Sequence, residues 1–229
     1  FNNEIGMPLS LINASFKSKQ LVLEIGASKF KDIDYLSKIL NPHIGIITNI
    51  GNSHLEQLKN IQGVLKVKSE IIKNIRSDGF LIVPNEKIQH LNYWRKIRTD
   101  IRILTFGINK EADFYATNIE TKKNGTDFYI ESKFLDKSIL IKSSLEGIHN
   151  IKNLLIGCIT NFCLQNKLDD FIESINSNDF EAIRQIKLKW HKGSTLIDDT
   201  YNANPDSTKE SIDLLSNYKK QTTLVLGDM

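Results

Sequence analysis

The chain has 229 residues and is 40% hydrophobic, enough for a substantial core, which excludes a disordered or low-complexity protein. Thirty Lys and Arg stand against 27 Asp and Glu, a formal charge of +3 with both signs spread along the sequence, so no basic surface for nucleic acid and no membrane-binding stretch is expected. No apolar run reaches the roughly 20 residues of a membrane span, and no basic stretch followed by an apolar one opens the chain, so the expected location is the cytoplasm. Cys158 and Cys163, without a CxxC pair or a histidine at ligand spacing, read as buried thiols in a reducing compartment.

In chain order, apolar runs that suit buried strands fall at Leu21 to Ile25, Ile44 to Ile50, Phe80 to Val83 and Ile101 to Phe106. Helical periodicity at Asp32 to Leu40 and Gly63 to Ile75 separates the first three. This alternation predicts an α/β fold, a mostly parallel sheet flanked by helices. Between Ala112 and Leu145 the period falls to two, with Lys123-Asn124-Gly125-Thr126 as a turn, which predicts a small antiparallel subsheet attached to the main one. Helices are expected at His149 to Gln165, Leu168 to Ile175 and Asp179 to Ile186, and a strand at Thr195 to Asp198 restarts the α/β pattern. Two domains follow from this reading, residues 1–183 and the beginning of a second one at 184–229, with the charged and aromatic segment Lys187 to Gly193 as the candidate boundary region. The start at Phe1 and the stop after an apolar strand-like run suggest a piece of a larger protein.

Ligands of open parallel sheets bind beyond the carboxyl ends of the strands, so polar residues there are the candidates. Glu24 precedes a glycine that lets backbone approach a ligand, and His54 follows Thr48-Asn49-Ile50-Gly51-Asn52-Ser53. A carboxylate and an imidazole on neighbouring strand ends can share a divalent cation whose other ligands are water and phosphate. Each, taken singly, also fits a solvated strand-end group. Lys68, with Lys66 as its alternative, lies on the next helix, where a lone lysine is ordinarily surface charge. Asn150 and Asn153, three apart at the start of a helix, can present amides on one face to the edge of a purine, or Asn150 can simply cap the helix. The turn Asp198-Asp199-Thr200-Tyr201-Asn202-Ala203-Asn204-Pro205-Asp206-Ser207 sets two acids at a strand end with a proline poised to start a helix.

Taken in order, these segments resemble the Mur ligase family. The stretches are Asn2-Asn3-Glu4-Ile5-Gly6-Met7-Pro8-Leu9, Glu24-Ile25-Gly26-Ala27, Thr48 to His54, Lys66 to Ile71, Gly147 to Asn153 and Asp198 to Ser207. The last two, with Gly227-Asp228-Met229, favour the group that adds D-alanyl-D-alanine. The resemblance implies an ATP-dependent acid–amino-acid ligase that joins D-alanyl-D-alanine to UDP-N-acetylmuramoyl-tripeptide through an acyl phosphate, in peptidoglycan precursor synthesis, acting as a monomer. It implies a middle ATP-binding domain and the start of a Rossmann-like C-terminal domain. The phosphate loop G-x-x-G-K-[ST] does not occur in these residues, so that loop and the UDP-sugar grip are expected outside them, and this piece alone is expected to be inactive. By resemblance, Glu24, His54 and Lys68 would hold Mg²⁺, Lys68 as a carbamate, with Lys68 and His54 catalytic. Asn150, Asn153, His149, Arg184, Asp198, Asp199 and Asn202 would contact ATP. Two positions depart from the family pattern: Ile148 stands where arginine is common, and Ile183 where a glycine precedes the arginine. Rival readings are another amide ligase on this scaffold, of the diaminopimelate-adding or folylpolyglutamate type, and a noncatalytic nucleotide-binding module.

Overall fold

The computed structural model describes residues 2–52, 55–122, 125–177, 186–201, 203–216, 218 and 221–228. The chain opens with α1 (Gly6–Ile12), then α2 (Asp32–Leu40), β1 (Ile44–Ile46), α3 (Leu55–Leu58) and α4 (Ile61–Lys68). A 3-10 turn over Ser69–Asn74 extends α4, and β2 (Phe80–Pro84), α5 (Ile88–Ile97) and β3 (Arg102–Gly107) follow. The strands β4 (Phe114–Lys122), β5 (Gly125–Ser132) and β6 (Ile139–Ser143) lead to α6 (Ile148–Cys163) and α7 (Leu168–Asn176). The remaining elements are β7 (Ile186–Lys189), β8 (Thr195–Asp198) and α8 (Pro205–Ser216).

One six-stranded sheet runs in the order β1-β2-β3-β4-β5-β6. Its first half is parallel, and β3 joins β4 through a short parallel overlap, Phe106 opposite Phe114 and Gly107 opposite Tyr115. The period-two region is therefore an antiparallel extension of the main sheet. Strand β2 explains the architecture: Leu81, Ile82 and Val83 are all fully buried, because alternate side chains point to opposite faces and both faces are covered. Ile82 enters a core with Phe114, Phe128, Ile141, Leu155 and Ile159, under α6. Leu81 and Val83 enter the other, with Val64, Val67, Ile72, Leu91 and Trp94, under α4 and α5.

Among the described residues the buried side-chain polar atoms are paired, with the exception of Thr126 Oγ1. Trp94 Nε1 donates to Ser69 Oγ at 2.8 Å, and Ser69 Oγ donates to the Leu65 carbonyl at 2.6 Å. Helix α2 starts from Lys31 in a left-handed conformation with no capping bond from its own side chain. Glu70 supplies the missing acceptor from across the fold, taking the amides of Lys31 at 2.9 Å and Asp34 at 3.1 Å. Both cysteines are free, and burial pushes each thiol up to about 12.

Two expectations need correction. Leu21 to Ile25 is not a strand; a strand is held by a neighbour's ladder, and this segment pairs with none of the described residues, leaving Leu21 48% and Val22 82% exposed. The run Ile44 to Ile50 pairs only over Ile44–Ile46, continued by the Ile47 amide bonding Ile82 O at 2.9 Å. The first part of the segment Lys187 to Gly193 belongs to β7, which pairs antiparallel with β8 around a turn at His191–Gly193. The helix expected at Asp179 to Ile186 falls almost wholly outside the described residues; Ile186 opens β7. Helix α2 and strand β8 have the expected bounds.

Candidate functional site

The carboxyl end of β1 is where the predicted residues begin to converge. Lys68, the last residue of α4, is half-buried and turns inward, its Nζ donating to Asn49 O at 2.9 Å and Asn49 Oδ1 at 2.8 Å. Burial lowers its pKa, because a charged ammonium loses water there. Lys66, two residues earlier and so on another face of the helix, is exposed. The structure thus separates the two lysines that sequence left as alternatives.

Glu24 and Lys68 line the same cavity, of about 1450 Å³, whose walls include Asn2, Gly26, Thr48 and Ile46. Asn2 fixes Glu24, donating from Nδ2 to Oε1 at 2.9 Å, while the Gly26 amide donates to Asn2 O at 2.7 Å. A Cβ on Gly26 would stand 2.9 Å from Asn2 Cγ, so this glycine admits a side chain, Asn2, that orients the carboxylate. Among the described residues no three His, Cys, Asp or Glu gather as a metal cluster. Mg²⁺ needs only one or two protein carboxylates when phosphate and water complete its shell, and a single oriented Glu24 fits that demand. His54, the second predicted ligand, lies outside the described residues, as do Arg184 and Asn202.

The later part of α6 lines the cavity through Ile156, Thr160 and Cys163, whereas the start of the helix carries the predicted asparagines. Gly147, at φ 94, is its N-cap, so Asn150 is not the cap; it donates from Nδ2 to Glu146 O at 2.7 Å and keeps Oδ1 as an acceptor. Asn153 lies close to one turn further on and is exposed. His149 folds over Gly147, where an added Cβ would be 2.7 Å from the ring, and its Nδ1 lies 3.3 Å from Glu210 Oε2 of α8.

The turn after β8 is organised mainly by its own residues. Asp198 Oδ1 accepts from Thr200 N at 3.0 Å and Thr200 Oγ1 at 2.7 Å, which lowers its pKa. Asp199 Oδ2 accepts from Ser211 Oγ of α8 at 2.5 Å. The two acids therefore differ, Asp198 shaping the loop and Asp199 holding it to the helix. Helix α8 in turn reaches the β1 loop, since Asp206 accepts from Asn52 N at 2.7 Å and from Asn52 Nδ2 at 3.2 Å. Lys187 of β7 pairs with Glu146 before α6. Sequence reasoning missed Asn2, Asn49, Asp206 and Glu210 as organisers. Asn49 and Asp206 were visible only as polar residues inside longer motifs.

The cavity at the sheet end thus holds an oriented carboxylate and an inward lysine, and the chain as a whole is similar to known proteins. A family model described as the Mur ligase middle domain covers residues 1–160. The chain belongs to the Mur ligase family. A relative from Buchnera aphidicola subsp. Baizongia pistaciae, named UDP-N-acetylmuramoyl-tripeptide--D-alanyl-D-alanine ligase, is 35% identical over 231 residues, spanning 100% of this chain and 49% of its own length. The chain thus spans about half the length of the curated relatives it matches. Among solved structures, MurF from Acinetobacter baumannii superposes with a TM-score of 0.86 at 29% identity, over 95% of this chain and 47% of that one. MurF ligase from Thermotoga maritima in complex with ADP gives 0.82 at 26% identity, over 95% and 49%.

Proposed function

We propose that this chain is part of an ATP-dependent ligase that joins D-alanyl-D-alanine to UDP-N-acetylmuramoyl-tripeptide in the cytoplasm, supplying peptidoglycan precursors for growth and division. The observation that carries the reading is the ordered set of site segments, from Glu24 through Lys68 and Asn150 to the Asp198 to Ser207 turn, arranged on a fold shared with MurF structures. The Asp199-Thr200-Tyr201-Asn202-Ala203-Asn204 turn favours this substrate over the diaminopimelate-adding type, in which a D-Y-A-H turn is expected.

ATP phosphorylates the terminal carboxylate of the tripeptide, and the amine of D-alanyl-D-alanine then attacks the acyl phosphate, passes through a tetrahedral intermediate and expels phosphate. The protein's part is positioning and neutralising charge. Glu24, fixed by Asn2, with His54 and Lys68, would hold Mg²⁺, which when bound offsets phosphate charge. Lys68 is presented to that region by Asn49, and its lowered pKa enlarges the neutral amine fraction, the form that adds CO₂ to give a carbamate. Asn150 Oδ1 and Asn153 would read adenine, with His149 beside them. Arg184, Asp198, Asp199 and Asn202 would approach the nucleotide from the segment that begins at residue 184. Closure of that segment excludes water that would otherwise hydrolyse the acyl phosphate.

The test is phosphate release by the full-length ligase. Release is expected only with both UDP-tripeptide and D-alanyl-D-alanine present. Equal release with a single amino acid in place of the dipeptide would exclude this assignment, and binding of ATP without any turnover would favour a noncatalytic module.

A further inference from the structure

Helix α8 touches the β1 loop through one fork. The Asp206 carboxylate receives the Asn52 amide on Oδ2 at 2.7 Å and the Asn52 side-chain amide on Oδ1 at 3.2 Å, joining residues 154 apart in sequence. A bidentate acceptor of this kind fixes orientation as well as distance. Gly51 gives an independent sign of the same contact. A Cβ built there would lie 2.9 Å from Asp206 Oδ2, and its next neighbour, Asn49 Nδ2, is at an ordinary 3.5 Å. Gly51 does not have a positive φ, so its backbone accepts a side chain; the obstacle is the carboxylate. Two residues before Gly51 stands Asn49, the tether of Lys68.

We propose that Asp206 is a positioning residue, which clamps the Gly51–Asn52 backbone at the carboxyl end of β1 and so couples the docking of α8 to the loop that orients Lys68. The fork stands without any assigned activity, whereas its bearing on catalysis rests on the ligase reading above. The clamp makes the order of events physical: when α8 lifts away, Asn52 loses two acceptor contacts at once and the Asn49 tether loses its support from that side. Neither residue touches the reacting atoms in this account; Asp206 acts through Asn52 and Asn49.

The experiment is a double-mutant cycle in the full-length protein, read by hydrogen exchange at the Asn52 amide, with the amides of Leu81, Ile82 and Val83 reporting an intact sheet. Asp206→Ala is expected to speed exchange at Asn52 about tenfold, the scale of one charge-assisted hydrogen bond. Gly51→Ala should do the same in the wild-type background, since its methyl displaces the carboxylate. In the Asp206→Ala background, Gly51→Ala should add less than about twofold. Asp206→Asn, which offers one acceptor and turns a donor toward the other N–H, should fall between. An unmoved Asn52 amide in Asp206→Ala, or a Gly51→Ala effect of the same size with and without Asp206, would overturn the clamp. The same non-additivity is expected in kcat; its absence there beside the predicted exchange result would count against the ligase reading and leave the clamp standing.

Discussion

The sheet region up to residue 177 and the segment from residue 186 onward are held in place by different physics. The first has two apolar cores on either side of β2. In the second no described residue is buried; Leu188, Leu196 and Trp190 are 45%, 40% and 63% exposed. It meets the sheet region through polar links: Asp206 to Asn52, Glu210 to His149, and Lys187 to Glu146. Burial of apolar area gives stability that is strong and non-directional, whereas forks and ion pairs of this kind give orientation at little net stability. The difference suits one region to be a platform and the other to dock on it reversibly.

The largest expected break is in the platform. Ile82→Ala should cost about 2–5 kcal/mol in denaturant unfolding, since its side chain is fully buried among Phe114, Phe128 and Leu155 and leaves a cavity. Ser69→Ala should cost about 1–3 kcal/mol, because Trp94 Nε1 loses its acceptor inside the core. On the docking side, Leu196→Ala should stay within about 0.5 kcal/mol by the same unfolding measurement, as an exposed position. A cost comparable to that of Ile82 would show that the second region has a core of its own. Replacing Lys187 by Met should change unfolding by under about 1 kcal/mol, although its Glu146 partner is only 10% exposed.

Acid should separate the two regions as well. The Asn52 hydrogen bonds lower the Asp206 pKa below its ordinary 3.8, with Lys209 adding a smaller pull. A depressed carboxylate contributes stability above its unfolded pKa and loses it as pH falls through the folded one. The Asn52 amide resonance should therefore keep its docked shift at neutral pH and titrate below pH 3.8, while β2 amides hold theirs. Constant Asn52 shifts through that range would separate the amide from the carboxylate.

The same contrast explains what could be read in the sequence. Strand β2 was legible because burial on both faces leaves a continuous apolar run, and α2 because its periodicity and bounding residues are local. Leu21 to Ile25 has the same apolar signature without a pairing partner among the described residues, and composition carries no information about partners. At the site, Lys68 and Asn150 could be named, but not that Asn49 holds the one or that the other bonds Glu146 instead of capping. Asp206 was one polar residue among many in its turn; its partner lies 154 positions away, and only the fold brings them together. The glycine at 51 was the one local trace of that approach.

The most direct measurement follows the oxygen. On the proposed ligase reading, UDP-tripeptide labelled with ¹⁸O in its terminal carboxylate is incubated with the full-length protein, ATP and D-alanyl-D-alanine, and the released phosphate is weighed by mass spectrometry. Attack of the carboxylate on the γ-phosphorus followed by expulsion of phosphate predicts transfer of one labelled oxygen to phosphate for each amide bond formed. Unlabelled phosphate with amide formation intact would contradict the acyl phosphate and the role given to this site.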